Sequence, residues 1–121
     1  VIPALEAYQP DVVIVACGFD ASGVDPLSRM LCHADTYRLM TRQLLQSAEK
    51  LCGGQLVMAH EGGYSEVHVP FCGHAVLQEM SGSKIDAGDA MGARIAGQQP
   101  NAMMEQVFAN LIDDMTTELN I

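Results

Sequence analysis

Apolar residues in the first half of the chain fall into two short continuous runs, Val12-Val13-Ile14-Val15-Ala16-Cys17 and Leu56-Val57-Met58-Ala59, with a long periodic stretch between them. A β-branched run bounded by turn residues is the pattern of a strand buried on both faces, the kind found in parallel sheets. Between the runs, Tyr37, Met40, Leu44, Ala48 and Leu51 recur at three- and four-residue steps and predict an amphipathic helix stopped by Gly53-Gly54. Residues 1–8 read as a short helix with Pro3 in its first turn, ended by the Gln9-Pro10-Asp11 turn. The second strand is predicted over 55–60. Residues 69–80 follow as a helix with Val76, Leu77 and Met80 on one face. Residues 81–101 are rich in Gly and small side chains, show no period and are predicted to be loop. In 102–121 the positions Met104, Val107, Phe108, Leu111, Ile112, Met115 and Leu119 form a helical stripe wide enough to pack on a sheet or another helix. The order αβαβα predicts crossover units on an open parallel sheet, an α/β fold.

Composition narrows the class. With 121 residues, 49% of them hydrophobic, the chain supplies one core, and so one domain or part of one. It opens on Val1 and reads as part of something longer. No repeat is visible, and no apolar run approaches the roughly 20 residues of a membrane helix. A net charge of -9 with only six Lys and Arg argues against a phosphate-backbone binder and suits a cationic partner better. Cys17, Cys32, Cys52 and Cys72 show no C-x-x-C spacing, which favours free thiols and a cytoplasmic location over a disulfide framework.

The candidate chemistry lies where each strand ends. Gly18-Phe19-Asp20-Ala21-Ser22-Gly23-Val24-Asp25-Pro26-Leu27 follows the first run, and Glu61-Gly62-Gly63-Tyr64 follows the second. Carboxyl ends of parallel strands are where ligands bind in open α/β sheets, so a carboxylate and a phenol are expected to face one crevice. Asp25, in a turn with Gly23 and Pro26, is a suitable divalent-cation ligand; capping that turn is the competing reading. Tyr64 follows two glycines that permit a backbone path closed to bulky residues. A phenol stays protonated at neutral pH and can donate to a developing oxyanion. His60 and Glu61 have no histidine four residues beyond His60, so the metalloprotease motif H-E-x-x-H is not met. His33, His68 and His74 stand singly and read as surface or helix-end residues. Phosphate-binding and nucleophile-elbow motifs are not found.

Together, in order and each on a strand end, the two segments resemble the C-terminal part of the histone deacetylase family, which includes bacterial histone deacetylase-like amidohydrolases, acetylpolyamine amidohydrolases and acetoin-utilisation proteins. The resemblance covers roughly residues 4–82, with residues 1–80 as the family-like core of the arginase-like three-layer fold. It implies a zinc-dependent deacetylase hydrolysing acetyl-lysine or acetylpolyamine amides to amine and acetate. By this resemblance Asp25, directly before Pro26, is the zinc ligand and Tyr64 the transition-state stabiliser. Gly62 and Gly63 shape the substrate channel, Asp20 shapes its loop and Glu61 braces it. Val24 stands where the family commonly has Gly. The family's D-x-H ligand motif and its pair of adjacent histidines do not occur in these residues. The 121-residue chain alone is therefore expected to be inactive and to self-associate, and a non-catalytic α/β binding or assembly module on the same scaffold is the alternative.

Overall fold

Residues Val13–Cys17 form β1 and Leu56–His60 form β2, paired in parallel from Val13 opposite Leu56 to Cys17 opposite His60, in a computed structural model that describes residues 1–28 and 30–119. The crossover between the strands is α2, Ala34–Cys52, which ends where Gly53 takes the left-handed φ of 61°. Ile2–Tyr8 form α1, tied to α2 by Lys50 and Glu6 at 2.6 Å. After β2 comes α3, Val69–Ser81, opened by His68 with Pro70 in its first turn. Each of these elements lies where the apolar pattern predicts it.

Alternation along the strands decides which face the helices cover. Val15 and Cys17 of β1 and Met58 of β2 face a cavity against Tyr37, Met40, Thr41 and Leu44 of α2. Cys17, Met58 and His60 also border α3 at Val69, Gly73, Val76 and Leu77. Both helices thus lie on one face of the sheet and pack on each other. The buried core is Phe19, Tyr37, Cys72 and Val76, with Cys17, Cys32, Met58 and Val69 against it. Phe19 meets Tyr37 edge to face at 5.1 Å. Arg42 clasps Glu79 across the helix pair at 2.7 and 3.1 Å, a pair too solvated to contribute much stability.

The opposite face differs from the sequence-based expectation. Burial of β1 on both faces needs a second layer, and among the described residues none covers Ile14, 70% exposed, or Val57, 52% exposed. The described residues therefore supply the sheet and one helical layer of the α/β architecture.

Residues 81–101 differ as well. They contain a short helix, α4, Gly92–Ala96, whose Ile95 is fully buried. Ile95 packs against Gly23, where an added Cβ would come within 3.0 Å of it. The short period and small side chains hid this element, because one buried residue in five leaves no helical stripe. The last helix, α5, Ala102–Leu119, forms as predicted but buries none of its residues.

Candidate functional site

Both motif segments leave the sheet at the same end, because β1 and β2 run parallel and in register. The main chain joins them first. Glu61 N–H donates to Cys17 O at 3.3 Å, and Phe19 N–H donates to Gly62 O at 2.7 Å. His60 adds a bond from Nε2 to Gly62 O at 3.2 Å; a carbonyl only accepts, so Nε2 carries the hydrogen.

Between the two segments lies an open cavity of about 390 Å³ lined by Ala16, Gly18, Asp20, Glu61, Gly62 and Tyr64. Asp20 and Tyr64 supply its carboxylate and its phenol. The Asp20 carboxylate lies so close to Gly62 that a Cβ there would collide with it, and a Cβ on Gly18 would come within 2.9 Å of its Oδ1. These two glycines give the carboxylate its room. Gly63, at φ 129°, lets the chain pass between Phe19 and Val69, where a Cβ would sit 2.9 Å from each. Among the described residues no group donates a hydrogen bond to the Asp20 carboxylate. Tyr64 is 57% exposed and its ring is free to meet a ligand. Glu61 reaches the same cavity from an exposed position.

Asp25 is placed differently from the crevice-facing position expected of it. It is only 7% exposed and does not border the cavity. Its Oδ1 accepts the Leu27 N–H at 2.8 Å, closing the turn through Pro26, and its Oδ2 accepts the Tyr64 N–H at 2.8 Å. The turn-capping reading is the geometry observed, and the second bond pins the backbone of Tyr64 to the first motif. Asp20, five residues earlier and half-buried, is the carboxylate that lines the cavity.

Sequence reasoning missed a further polar cluster beneath the site. His68, read as a surface or helix-end residue, does stand at the start of α3 but is wholly buried. Its ring joins Ser22 and Asp89, and Asp89 lies in the segment predicted to be featureless loop. Asp89 Oδ1 accepts the Met91 N–H at 2.8 Å, and Oδ2 accepts the Ala34 N–H at the start of α2 at 3.0 Å. Asp89 two residues before Met91, just ahead of α4, is a turn-forming spacing that a closer reading of the sequence offers. Its cap on α2, from 55 residues away, has no local signal.

A metal at this cavity needs more than one side chain. Structural and catalytic zinc sites draw at least three protein ligands, and no group of three His, Cys, Asp or Glu able to hold a metal occurs among the described residues. The chemistry of Asp20, a carboxylate against two glycines with no hydrogen-bond donor among the described residues, fits one ligand of such a set.

Known proteins resemble this chain in sequence and in fold. The family model of the histone deacetylase domain matches residues 1–80. Over all 121 residues the chain is 44% identical to the histone deacetylase-like amidohydrolase of Pseudomonas aeruginosa, covering 100% of this chain and 32% of that protein. A probable deacetylase of Archaeoglobus fulgidus is 31% identical over 86 residues, 70% of this chain and 24% of its own length. Among solved structures, the HDA15 HD domain superposes with a TM-score of 0.59 at 31% identity, covering 78% of this chain and 26% of that one. The histone deacetylase Clr3 gives a TM-score of 0.60 at 28% identity over 75% of this chain and 14% of that chain. The chain thus spans about a third or less of the length of these relatives. With two parallel strands delivering Gly-Phe-Asp and Glu-Gly-Gly-Tyr to one cavity, and the family model covering residues 1–80, the chain belongs to the histone deacetylase domain family.

Proposed function

We propose that this chain is the part of a zinc-dependent deacetylase that carries one metal ligand and the oxyanion donor, acting on acetyl-lysine or acetylpolyamine amides. The observation carrying the proposal is that Asp20 and Tyr64 border one open cavity at the ends of paired parallel strands. On this reading Asp20, rather than Asp25, is the metal ligand: both Asp25 oxygens are already engaged by backbone N–H groups. Zinc, when bound, supplies Lewis-acid polarisation of the amide carbonyl and acidifies water. Tyr64 donates its O–H to the oxygen on which negative charge develops. Asp25 holds the Tyr64 backbone in place for that donation. Gly62 lines the cavity an acylated amine would enter, Gly63 carries the chain past Phe19 and Val69 behind it rather than lining the channel, and the net charge of -9 favours a cationic substrate. Two further ligands and a general base come from outside these residues, so the 121-residue chain alone is expected to turn over no acetyl-lysine substrate.

The test uses the intact enzyme with zinc content and turnover read together. Asp20→Ala is expected to lose both zinc and activity. Tyr64→Phe is expected to keep zinc and slow kcat by about 10²- to 10³-fold, the usual loss for one oxyanion donor. Asp25→Ala is expected to retain zinc while lowering rate and stability. Zinc lost from Asp25→Ala but retained by Asp20→Ala would return the ligand role to Asp25. Wild-type enzyme with neither zinc nor turnover would favour a non-catalytic module.

A further inference from the structure

Beneath the cavity, Ser22, His68 and Asp89 form a continuous hydrogen-bonded chain. Ser22 Oγ lies 2.6 Å from His68 Nδ1, and His68 Nε2 lies 3.0 and 3.1 Å from the two Asp89 oxygens. A carboxylate only accepts, so Nε2 carries a hydrogen and donates it to Asp89. In the neutral ring Nδ1 then accepts from the Ser22 hydroxyl, whose oxygen accepts the Val24 N–H at 3.3 Å. With this direction of donation every polar atom of Ser22 and His68 side chains is satisfied.

The residue types match those of a nucleophilic triad. Exposure rules that use out: Ser22 and His68 are both 0% exposed, so no acyl group reaches the hydroxyl. What the cluster joins is more telling. Ser22 lies two residues past Asp20, with its N–H on Phe19 O at 3.2 Å and its carbonyl accepting the Asp25 N–H at 3.0 Å. His68 lies four residues past Tyr64 and closes the turn after it, its N–H on Ser65 O at 3.0 Å. One imidazole therefore bonds the first motif loop, follows the second, and is held by a carboxylate that also caps α2.

We propose that His68, oriented by Asp89, is a positioning residue that sets the spacing of the Asp20 and Tyr64 loops. This rests on the deacetylase reading of the cavity. The Phe19–Gly62 and Asp25–Tyr64 bonds tie the two loops close to the cavity. The Ser22–His68 bond is a further tie, farther along both loops, and its rigid ring fixes their relative orientation. A small displacement of reacting groups is costly in rate even where binding survives.

The experiment compares His68→Phe, which keeps ring bulk and removes both ring bonds, with His68→Gln, whose amide can accept from Ser22 and donate to Asp89. Both are made in the intact enzyme and read by amide hydrogen exchange and by kinetics on an acetyl-lysine peptide. His68→Phe is expected to speed exchange in 19–25 and 62–65 together while leaving β1 and β2 unchanged. It is expected to lower kcat by roughly 10- to 100-fold with little change in KM. His68→Gln is expected to restore both readouts to near wild type. A His68→Phe enzyme that melts earlier but keeps wild-type kcat and wild-type exchange in 19–25 would overturn the proposal, as would a His68→Gln enzyme no better than it. If His68→Phe does not fold, Ser22→Ala removes the same tie by one hydroxyl, and unchanged exchange in 62–65 would overturn the proposal. A wild-type enzyme without turnover would instead defeat the deacetylase reading and leave the exchange comparison to decide the positioning role.

Discussion

Half-buried Asp89 and buried Tyr37 carry opposite accounts of polarity. Burial pushes the Asp89 carboxyl up, but hydrogen bonds from Ala34 N–H, His68 and Met91 N–H outweigh it, and the net direction is below the ordinary 3.8. A carboxylate lowered in the folded state contributes stability that is present above its unfolded pKa and lost as pH falls through the folded one. Asp89→Asn should therefore reduce stability at neutral pH and flatten its fall below about pH 4, read as urea midpoints across that range. An acid limb as steep as wild type would contradict this. Tyr37 is the converse case. Its ring is 4% exposed, its hydroxyl has no partner among the described residues, and burial pushes the phenol well above its ordinary range. Tyr37→Phe keeps the contact with Phe19 and removes an unpaired polar atom, so it should be neutral or stabilising by up to about 1 kcal/mol. A clear loss in the thermal midpoint would reveal a partner for that hydroxyl.

Among the elements, α4 shows how a short piece of structure can position a site. It has five residues, too few to be stable from local bonds alone, and it persists through Ile95 packed on Gly23 of the first motif. Gly23 is required there by space: an added Cβ meets two Ile95 carbons at 3.0 Å. Ile95→Ala in the intact enzyme should cost about 2–5 kcal/mol, with the cavity placed against the Asp20 loop. Urea unfolding measures this, and a cost under about 1 kcal/mol would mean that the site collapses around the smaller side chain. The half-exposed Arg42 beside Glu79 should matter far less, despite its better-looking geometry.

For the molecule as a whole, the asymmetry of burial is the dominant fact. One sheet face carries α2 and α3, while Ile14 and Val57 on the other stand in solvent; the stripe Met104, Val107, Phe108, Leu111, Ile112 and Met115 of α5 is likewise unburied. Exposed apolar surface of this kind, with one edge of each strand unpaired among the described residues, favours association. We therefore expect the 121-residue chain, expressed by itself, to form reversible dimers or larger species through β1 or α5. Light scattering over a concentration series tests this, and a monodisperse monomer throughout would refute it.

The two strands, the helices before, between and after them in the chain and the motifs at their ends follow from the sequence by itself, because periodicity and turn chemistry are properties of neighbouring residues. Gly53 stops α2 and Gly63 turns the chain before Tyr64 by taking a positive φ, each at a position the local sequence marks. Which aspartate faces the cavity was decided otherwise. Asp20 and Asp25 share one loop, and only the paths of Leu27 and Tyr64 turn Asp25 inward and leave Asp20 at the opening. The burial of His68, the cap that Asp89 places on α2 and the seat of Ile95 on Gly23 belong to the same class. Each is a contact between segments far apart in sequence, satisfied by direction and fit in three dimensions, and no local pattern of apolar and polar residues encodes it.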